Sequence, residues 1–126
     1  MLETISAITF TVFTGIIIIF QGCLAAGMPW GEASMRGKYP GKYPPKMRIV
    51  AIINIIILAV IAVIVLSRAG FILPQLSEIS RIGIWFIVVY FSIATVLNSI
   101  TPSKIERIWA PVALVQLITS IIVSIS

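Results

Sequence analysis

The stretch from Ile49 to Ser67 reads IVAIINIIILAVIAVIVLS, and 17 of its 19 residues are apolar. About 20 mostly apolar residues are enough for a helix to cross the hydrocarbon core of a bilayer. Isoleucine and valine disfavour helices in water, but a run of this length without alternation is typical of a helix in lipid, and a barrel strand would be half as long. We therefore predict a transmembrane helix here.

Working outward, three more stretches meet the same criterion. The predicted spans are Ile5–Ala26, Ile49–Ser67, Ile82–Ile100 and Ile108–Ser126. The first lacks the basic flank and small-residue cleavage site of a signal peptide, so we expect a permanent helix. Across residues 1–126, 60% are hydrophobic and 10% charged, whereas a soluble domain has about 25% charged residues. The sequence predicts a single-domain, all-α integral membrane protein, a bundle of four transmembrane helices.

The distribution of basic residues predicts the orientation. Seven of the nine lie in the loop between spans one and two or in the loop between spans three and four: Arg36, Lys38, Lys42, Lys46, Arg48, Lys104 and Arg107. Only Arg68 and Arg81 lie in the remaining loop. Short loops rich in Lys and Arg stay in the cytoplasm. We therefore expect the first and third loops to be cytoplasmic and both termini to be extracytoplasmic.

The composition argues against most catalytic chemistry. The chain has no His and no Asp, one cysteine (Cys23), and four glutamates, all outside the apolar runs. These residues supply no disulfide framework, thiolate zinc site, imidazole base or intramembrane proton relay. We expect a non-enzymatic protein without cofactor or metal. The basic residues form no long stripe with interleaved aromatics, so we expect membrane lipids rather than nucleic acid as partners.

The first loop contains a tandem repeat, Gly37–Pro40 followed by Gly41–Pro44, each reading GKYP. Proline keeps this segment out of a helix and favours extended backbone at the preceding tyrosine. One interpretation is a solvated loop that only sets topology. The other is contact with lipid headgroups, with lysines on phosphates and phenol rings at the interface. The candidate headgroup contacts are Arg36, Lys38, Lys42, Lys46 and Arg48.

The third loop contains Ser103-Lys104-Ile105-Glu106, which matches the S-x-x-E capping box. We expect Ser103 and Glu106 to cap the start of the fourth helix. Arg107 has no comparable structural role, and it either reaches a lipid phosphate or pairs with Glu32.

Four carboxamides interrupt the apolar spans. Gln21, Asn54 and Asn98 all fall within about 10 Å of the predicted cytoplasmic ends of their helices, and Gln116 lies deeper. One interpretation is interhelical hydrogen bonding that only packs the bundle. The other is a neutral polar pocket that opens to the cytoplasm. Its candidate ligand-binding residues are Gln21, Asn54, Asn98 and Gln116, with Trp30, Glu32 and Arg107 at its mouth.

Two segments carry a resemblance to a known group of proteins. The first comprises Gly27, Pro29, Trp30, Gly31, Gly37, Gly41, Pro44 and Arg48, and the second comprises Asn98, Ser103, Glu106, Arg107, Trp109, Pro111, Val112, Ala113 and Leu114. In these motifs the chain resembles an uncharacterised family of small four-span bacterial membrane proteins. Family members often have an aromatic residue and a glycine at positions 35 and 36 and a histidine at position 39, where this chain has Met35, Arg36 and Tyr39. The resemblance implies a multi-pass protein of the bacterial cytoplasmic (inner) membrane and implies no activity.

Three functions remain open on the sequence alone. The first is binding of a lipid headgroup, small ligand or partner at the cytoplasm-facing pocket. The second is an oligomeric transporter or channel for a neutral or zwitterionic solute. The third is an accessory subunit of a larger membrane-protein complex. We expect a homo-oligomer or a larger membrane-protein partner, because one copy is small.

Overall fold

The computed structural model describes residues 1–126 and contains helices and turns but no strand. The four long helices are α1 (Leu2–Ala26), α2 (Pro45–Arg68), α3 (Ser77–Ile100) and α4 (Trp109–Ile125). Together with short 3₁₀ turns that flank α3 and α4, they give four segments long and apolar enough to cross a membrane. This confirms the predicted four-helix transmembrane bundle, and the chain is a multi-pass membrane protein.

The helices extend beyond the predicted spans at their amino ends. α1 begins three residues before Ile5, α2 four before Ile49 and α3 five before Ile82. Hydropathy marks the part of a helix that lies in hydrocarbon, and these helices continue into the interfacial layer. α4 begins at Trp109, which places Pro111 in the first turn, where its missing N–H costs no intrahelical hydrogen bond.

The helices form an antiparallel ring in chain order, with α4 closing against α1. The hairpins α1–α2 and α3–α4 are extensively packed, whereas α2 and α3 touch over a smaller area. We call the end that carries residues 27–44 and 101–108 the basic end. The opposite end, with residues 69–76 and both termini, is the terminal end.

The distribution of side chains is inverted relative to a soluble protein. Isoleucines, valines and leucines cover the outer surface, and 11 of the 27 buried residues are polar. An apolar cluster that continues from the middle of the bundle into the terminal half includes Phe10 and Phe91, whose rings meet edge to face at 5.3 Å. Buried hydroxyls there, such as those of Ser120 and Ser124, donate to carbonyls of their own helix. In the terminal half, the hydroxyls of these two serines are therefore satisfied within their own helix.

Candidate functional site

The four carboxamides predicted from the sequence lie around one cavity. Gln21, Asn54, Asn98 and Gln116 line a space of about 140 Å³ in the basic half of the bundle. One comes from each helix, because each polar residue sits on the side of its helix that faces the bundle axis. Phe91 and Leu58 also line the cavity. The structure thus brings the four residues together, and ligand binding by them stays a prediction.

Two of these amides have an unused polar atom. The Gln116 side chain is fully buried, and its Nε2 donates to Thr14 Oγ1 at 2.9 Å. Its Oε1 has no partner, and neither does the buried Oε1 of Gln21. An unpartnered buried acceptor loses its hydration without replacement, at a cost of about 1–3 kcal/mol. The cavity therefore contains two acceptors that lack a donor.

The two asparagines are also free to meet a ligand. Asn98 Nδ2 donates to the Ala94 carbonyl in its own helix at 2.8 Å, which leaves its oxygen available. Asn54 makes no side-chain hydrogen bond within the protein, although it lines the same cavity. The carboxamides do not bond to one another, and only the Gln116–Thr14 bond links two helices. The packing interpretation therefore accounts for one carboxamide of the four.

The capping-box prediction is half right. Ser103 Oγ accepts the Glu106 N–H at 3.2 Å, as the motif requires, but it caps the 3₁₀ turn Glu106–Ile108 rather than α4 itself. The Glu106 carboxylate does not return to the Ser103 N–H, which instead points to Thr101 Oγ1. Both carboxylate oxygens accept the backbone N–H of Arg36, each at 3.1 Å. The first loop folds back onto this turn, so the Glu106 carboxylate binds the Arg36 N–H of that loop instead of the Ser103 N–H.

Glu106 is the functional candidate that sequence reasoning assigned to another role. Its side chain is 9% exposed, it lines the carboxamide cavity, and no Lys or Arg forms an ion pair with it. The chain's one ion pair, Arg81–Glu78, lies exposed at the start of α3. The sequence had suggested a neutral polar pocket. The structure shows that the cavity has a carboxylate at its basic end. The sequence feature that could have predicted this role is the position of the glutamate, within a few residues of the fourth span.

A second, larger cavity adjoins the first between α2 and α3. It has a volume of about 640 Å³ and shares Asn54, Ala94, Asn98 and Glu106 with the carboxamide cavity. Its upper rim includes Arg36 and Lys38 of the first loop. Its lower wall includes three side chains that are about half exposed on the outer surface of α3: Tyr90, Ile93 and Leu97. This cavity therefore opens sideways toward lipid.

The first loop is folded as a roof over this end of the bundle. Trp109 Nε1 donates to the Ala33 carbonyl at 2.9 Å, and Ser103 Oγ donates to the Glu32 carbonyl at 2.6 Å. Gly31 N–H donates to the Gly41 carbonyl at 2.9 Å. A Cβ at Gly31 would lie 1.9 Å from the Tyr39 carbonyl oxygen, so only glycine fits this close approach.

The predicted mouth residues lie elsewhere. Trp30 and Glu32 line a separate cavity of about 350 Å³ that also contacts Phe20 and Trp109. Arg107 lines neither cavity, is exposed, and donates from Nε to the Thr101 carbonyl at 3.0 Å. No Glu32–Arg107 or Glu32–Arg36 ion pair forms. Ser34 lines the carboxamide cavity at this end instead, and Arg36 and Lys38 line the adjoining second cavity.

The repeat places its lysines outside and its tyrosines inside. Lys38 and Lys42 are exposed, as are the candidate headgroup contacts Arg36 and Lys46. The fifth candidate, Arg48, is half-buried and donates from Nε to the Tyr43 carbonyl at 3.1 Å.

Tyr43, 2% exposed, packs in a small cluster with Leu24, Met47 and Ala51. This position differs from the headgroup-contact interpretation of the loop, which put the phenol rings at the interface. Burial is the largest cause of the raised pKa of Tyr43. The neighbouring Glu106 and Tyr39 also raise this pKa, whereas a hydrogen bond with Ser34 lowers it.

Comparison of the chain with protein-family models, curated proteins and solved structures finds no match.

Proposed function

We propose that this protein binds a lipid headgroup or small polar ligand in the carboxamide cavity, without catalysing a reaction on it. The observation that carries the proposal is the pair of buried amide oxygens without donors, on Gln21 and Gln116. The Arg- and Lys-rich basic end supports placing the cavity on the cytoplasmic side of a bacterial inner membrane.

The energetic argument favours a binding role over packing. Two unsatisfied acceptors cost about 1–3 kcal/mol each, a sizeable part of a typical folding stability of about 5–15 kcal/mol. Leucine would fill either position without this cost, because its side chain is similar in size and needs no hydrogen bond. Buried polar groups that reduce stability are typical of sites where a ligand supplies the missing partner.

The closed terminal half supports binding rather than free passage. The Thr14–Gln116 hydrogen bond joins α1 and α4 beside the cavity. The Phe10–Phe91 pair belongs to the apolar cluster that continues from the cavity wall into that half. A channel in one copy needs a continuous polar path, and this conformation offers none through these rings. Transport of the ligand by several copies, or a structural role in a larger complex, would show as a different assembly in the test below.

The test is native mass spectrometry of the protein released from lipid nanodiscs. We expect the wild-type chain to retain a discrete ligand and Asn54→Leu to lose it, because Asn54 lines the cavity and its side chain makes no hydrogen bond within the protein. Ser99→Ala is the control: Ser99 is exposed on α3 and bonds only to the Thr95 carbonyl. A bare protein in all three samples would contradict the proposal, and a specific co-purifying protein would favour the accessory-subunit alternative.

A further inference from the structure

We infer that the ligand is a phospholipid with a primary amine in its headgroup, taken up sideways from the membrane between α2 and α3. This inference rests on the proposed function. It combines three features that meet at Glu106: a cavity rich in acceptors, a pair of free cationic side chains, and an opening to lipid.

The cavity selects for a donor-bearing cation. The buried cavity atoms without a protein partner are two acceptors, the Oε1 atoms of Gln21 and Gln116. The Asn98 oxygen and the Asn54 carboxamide also lack a protein partner. Beside them lies the Glu106 carboxylate, which has one backbone N–H as its protein partner and no counter-ion. A buried charge is stable when it is paired, and a primary ammonium brings three N–H donors with the opposite charge. An anionic ligand would meet repulsion from this carboxylate.

Arg36 and Lys38 form the complementary phosphate site. Both are exposed on the rim of the second cavity, and neither has an acidic partner. The Arg36 N–H is bonded to Glu106, so the cationic rim begins next to the anionic wall of the first cavity. A phosphoethanolamine headgroup carries a phosphate and an ammonium two carbons apart, so one headgroup presents an anion to the rim and a cation to Glu106.

The second cavity supplies the route for an acyl chain. It is more than four times the volume of the carboxamide cavity and continues it through their shared residues Asn54 and Ala94. Its wall ends at Ile93 and Leu97 on the lipid-facing surface of α3. An amphiphile can therefore place its headgroup among polar atoms while its chain stays in lipid, which a water-soluble amine cannot do.

The first experiment compares lipids that differ only at the amine. Nanodiscs contain equal amounts of phosphatidylethanolamine, phosphatidylcholine and phosphatidylglycerol with identical chains, and the lipid retained on the released protein is identified by native mass spectrometry. We expect ethanolamine lipid to be retained over choline lipid by about tenfold or more, because a trimethylated nitrogen has no N–H to donate. Equal retention, or preference for choline lipid through the aromatic rings, would overturn the inference and leave ligand binding intact.

Two carboxylate variants test the ammonium site. Glu106→Gln keeps an acceptor for the Arg36 N–H but removes the charge, and we expect the preference for ethanolamine lipid to disappear. Glu32→Gln is the matched control, since Glu32 lies at the same end but lines the separate cavity with Trp30. Equal preference in Glu106→Gln and wild type would overturn the assignment of Glu106.

Two tryptophan variants test the lateral route. Leu97→Trp fills the opening, whereas Val96→Trp adds the same bulk to an exposed neighbour outside both cavities. We expect only Leu97→Trp to reduce lipid retention. Added phosphoethanolamine, which has no chains, should not displace the lipid at equal concentration. Displacement of the lipid by phosphoethanolamine at that concentration would indicate that the ligand enters from water, which would overturn the lateral route. A wild-type protein that retains no bound molecule at all would refute the proposed function itself.

Discussion

Glu106 shows how one residue satisfies two constraints at the basic end. Its backbone N–H is capped by Ser103, and its carboxylate holds the Arg36 N–H of a segment 70 residues earlier in the chain. The same carboxylate forms part of the cavity wall. The Ser103 half of the capping box therefore forms as the sequence predicts. The carboxylate half does not form, because Glu106 makes a tertiary contact instead.

Gln116→Leu separates stability from binding at the residue scale. The substitution removes an unpaired buried acceptor worth about 1–3 kcal/mol of destabilisation and a membrane hydrogen bond worth about 0.6 kcal/mol. The substitution also leaves the buried Thr14 hydroxyl without this partner, which offsets the first term. We therefore expect the free energy of unfolding in micelles to change by less than about 1 kcal/mol while ligand retention falls. Thr119→Val is the control, because Thr119 donates within its own helix. A loss of more than about 1 kcal/mol in Gln116→Leu would show that the amide is fully paired and structural.

Tyr43 makes the first loop sensitive to alkaline pH. Its folded pKa is raised above the ordinary 10.0, mainly by burial, so the folded state keeps the phenol protonated where the unfolded chain ionises. The contribution of Tyr43 to stability is therefore complete below pH 10.0 and is lost as the pH rises through the folded pKa.

We expect Tyr43→Phe to flatten the alkaline loss of thermal stability and to remove one late step from the near-ultraviolet phenolate titration. Tyr39→Phe serves as the comparison and should keep most of the alkaline loss, because burial, the largest cause of the raised Tyr43 pKa, remains. Identical alkaline profiles for wild type and Tyr43→Phe would contradict the assignment.

At the scale of elements, the helices were predictable and the roof was not. The composition of Ile49–Ser67 is enough to predict its helix, because a long apolar run in lipid has few alternatives to helical structure. The convergence of Asn54 and Asn98 followed from equal depth on neighbouring helices. The positions of Trp30 and Glu32 depend on how residues 27–44 fold onto residues 101–108. Contacts such as Ser103 to the Glu32 carbonyl link segments 71 residues apart, and local patterns do not encode them.

Gly31→Ala tests whether the roof is a folded element. Its Cβ would collide with the backbone oxygens of Tyr39 and Gly41, so we expect a cost of about 2 kcal/mol or more and rapid hydrogen exchange of the Gly41-bonded amide. Gly41→Ala is the matched control: its φ is +77° but its surroundings are open, so about 1 kcal/mol of backbone strain is the expected loss. Equal exchange in both variants would show that the close approach at Gly31 does not hold the roof.

For the whole molecule, orientation follows from charge and is directly measurable. In a Cys23→Ala background, Lys42→Cys reports the basic end and Gln75→Cys reports the terminal end, and both parent residues are exposed. We expect a membrane-impermeant maleimide to label Gln75→Cys on intact bacterial spheroplasts and to label Lys42→Cys only after permeabilisation. The reverse pattern would place the cavity on the outer side of the membrane and contradict the proposed cytoplasmic site.

The tandem repeat has a consequence for how the chain tolerates change over generations. Its two copies are identical in sequence but occupy different positions: Tyr39 is half-buried, whereas Tyr43 is enclosed, and the carbonyl that receives Gly31 belongs to the second copy. Because the copies are identical, deletion of either one yields the same shortened chain. In that chain a single tyrosine and a single glycine would have to replace the two of each that now occupy different positions. We therefore expect a four-residue deletion in this loop to disrupt the roof while leaving composition, charge pattern and spans almost unaltered. The fold of the basic end depends on the length of this segment as well as on its residue types.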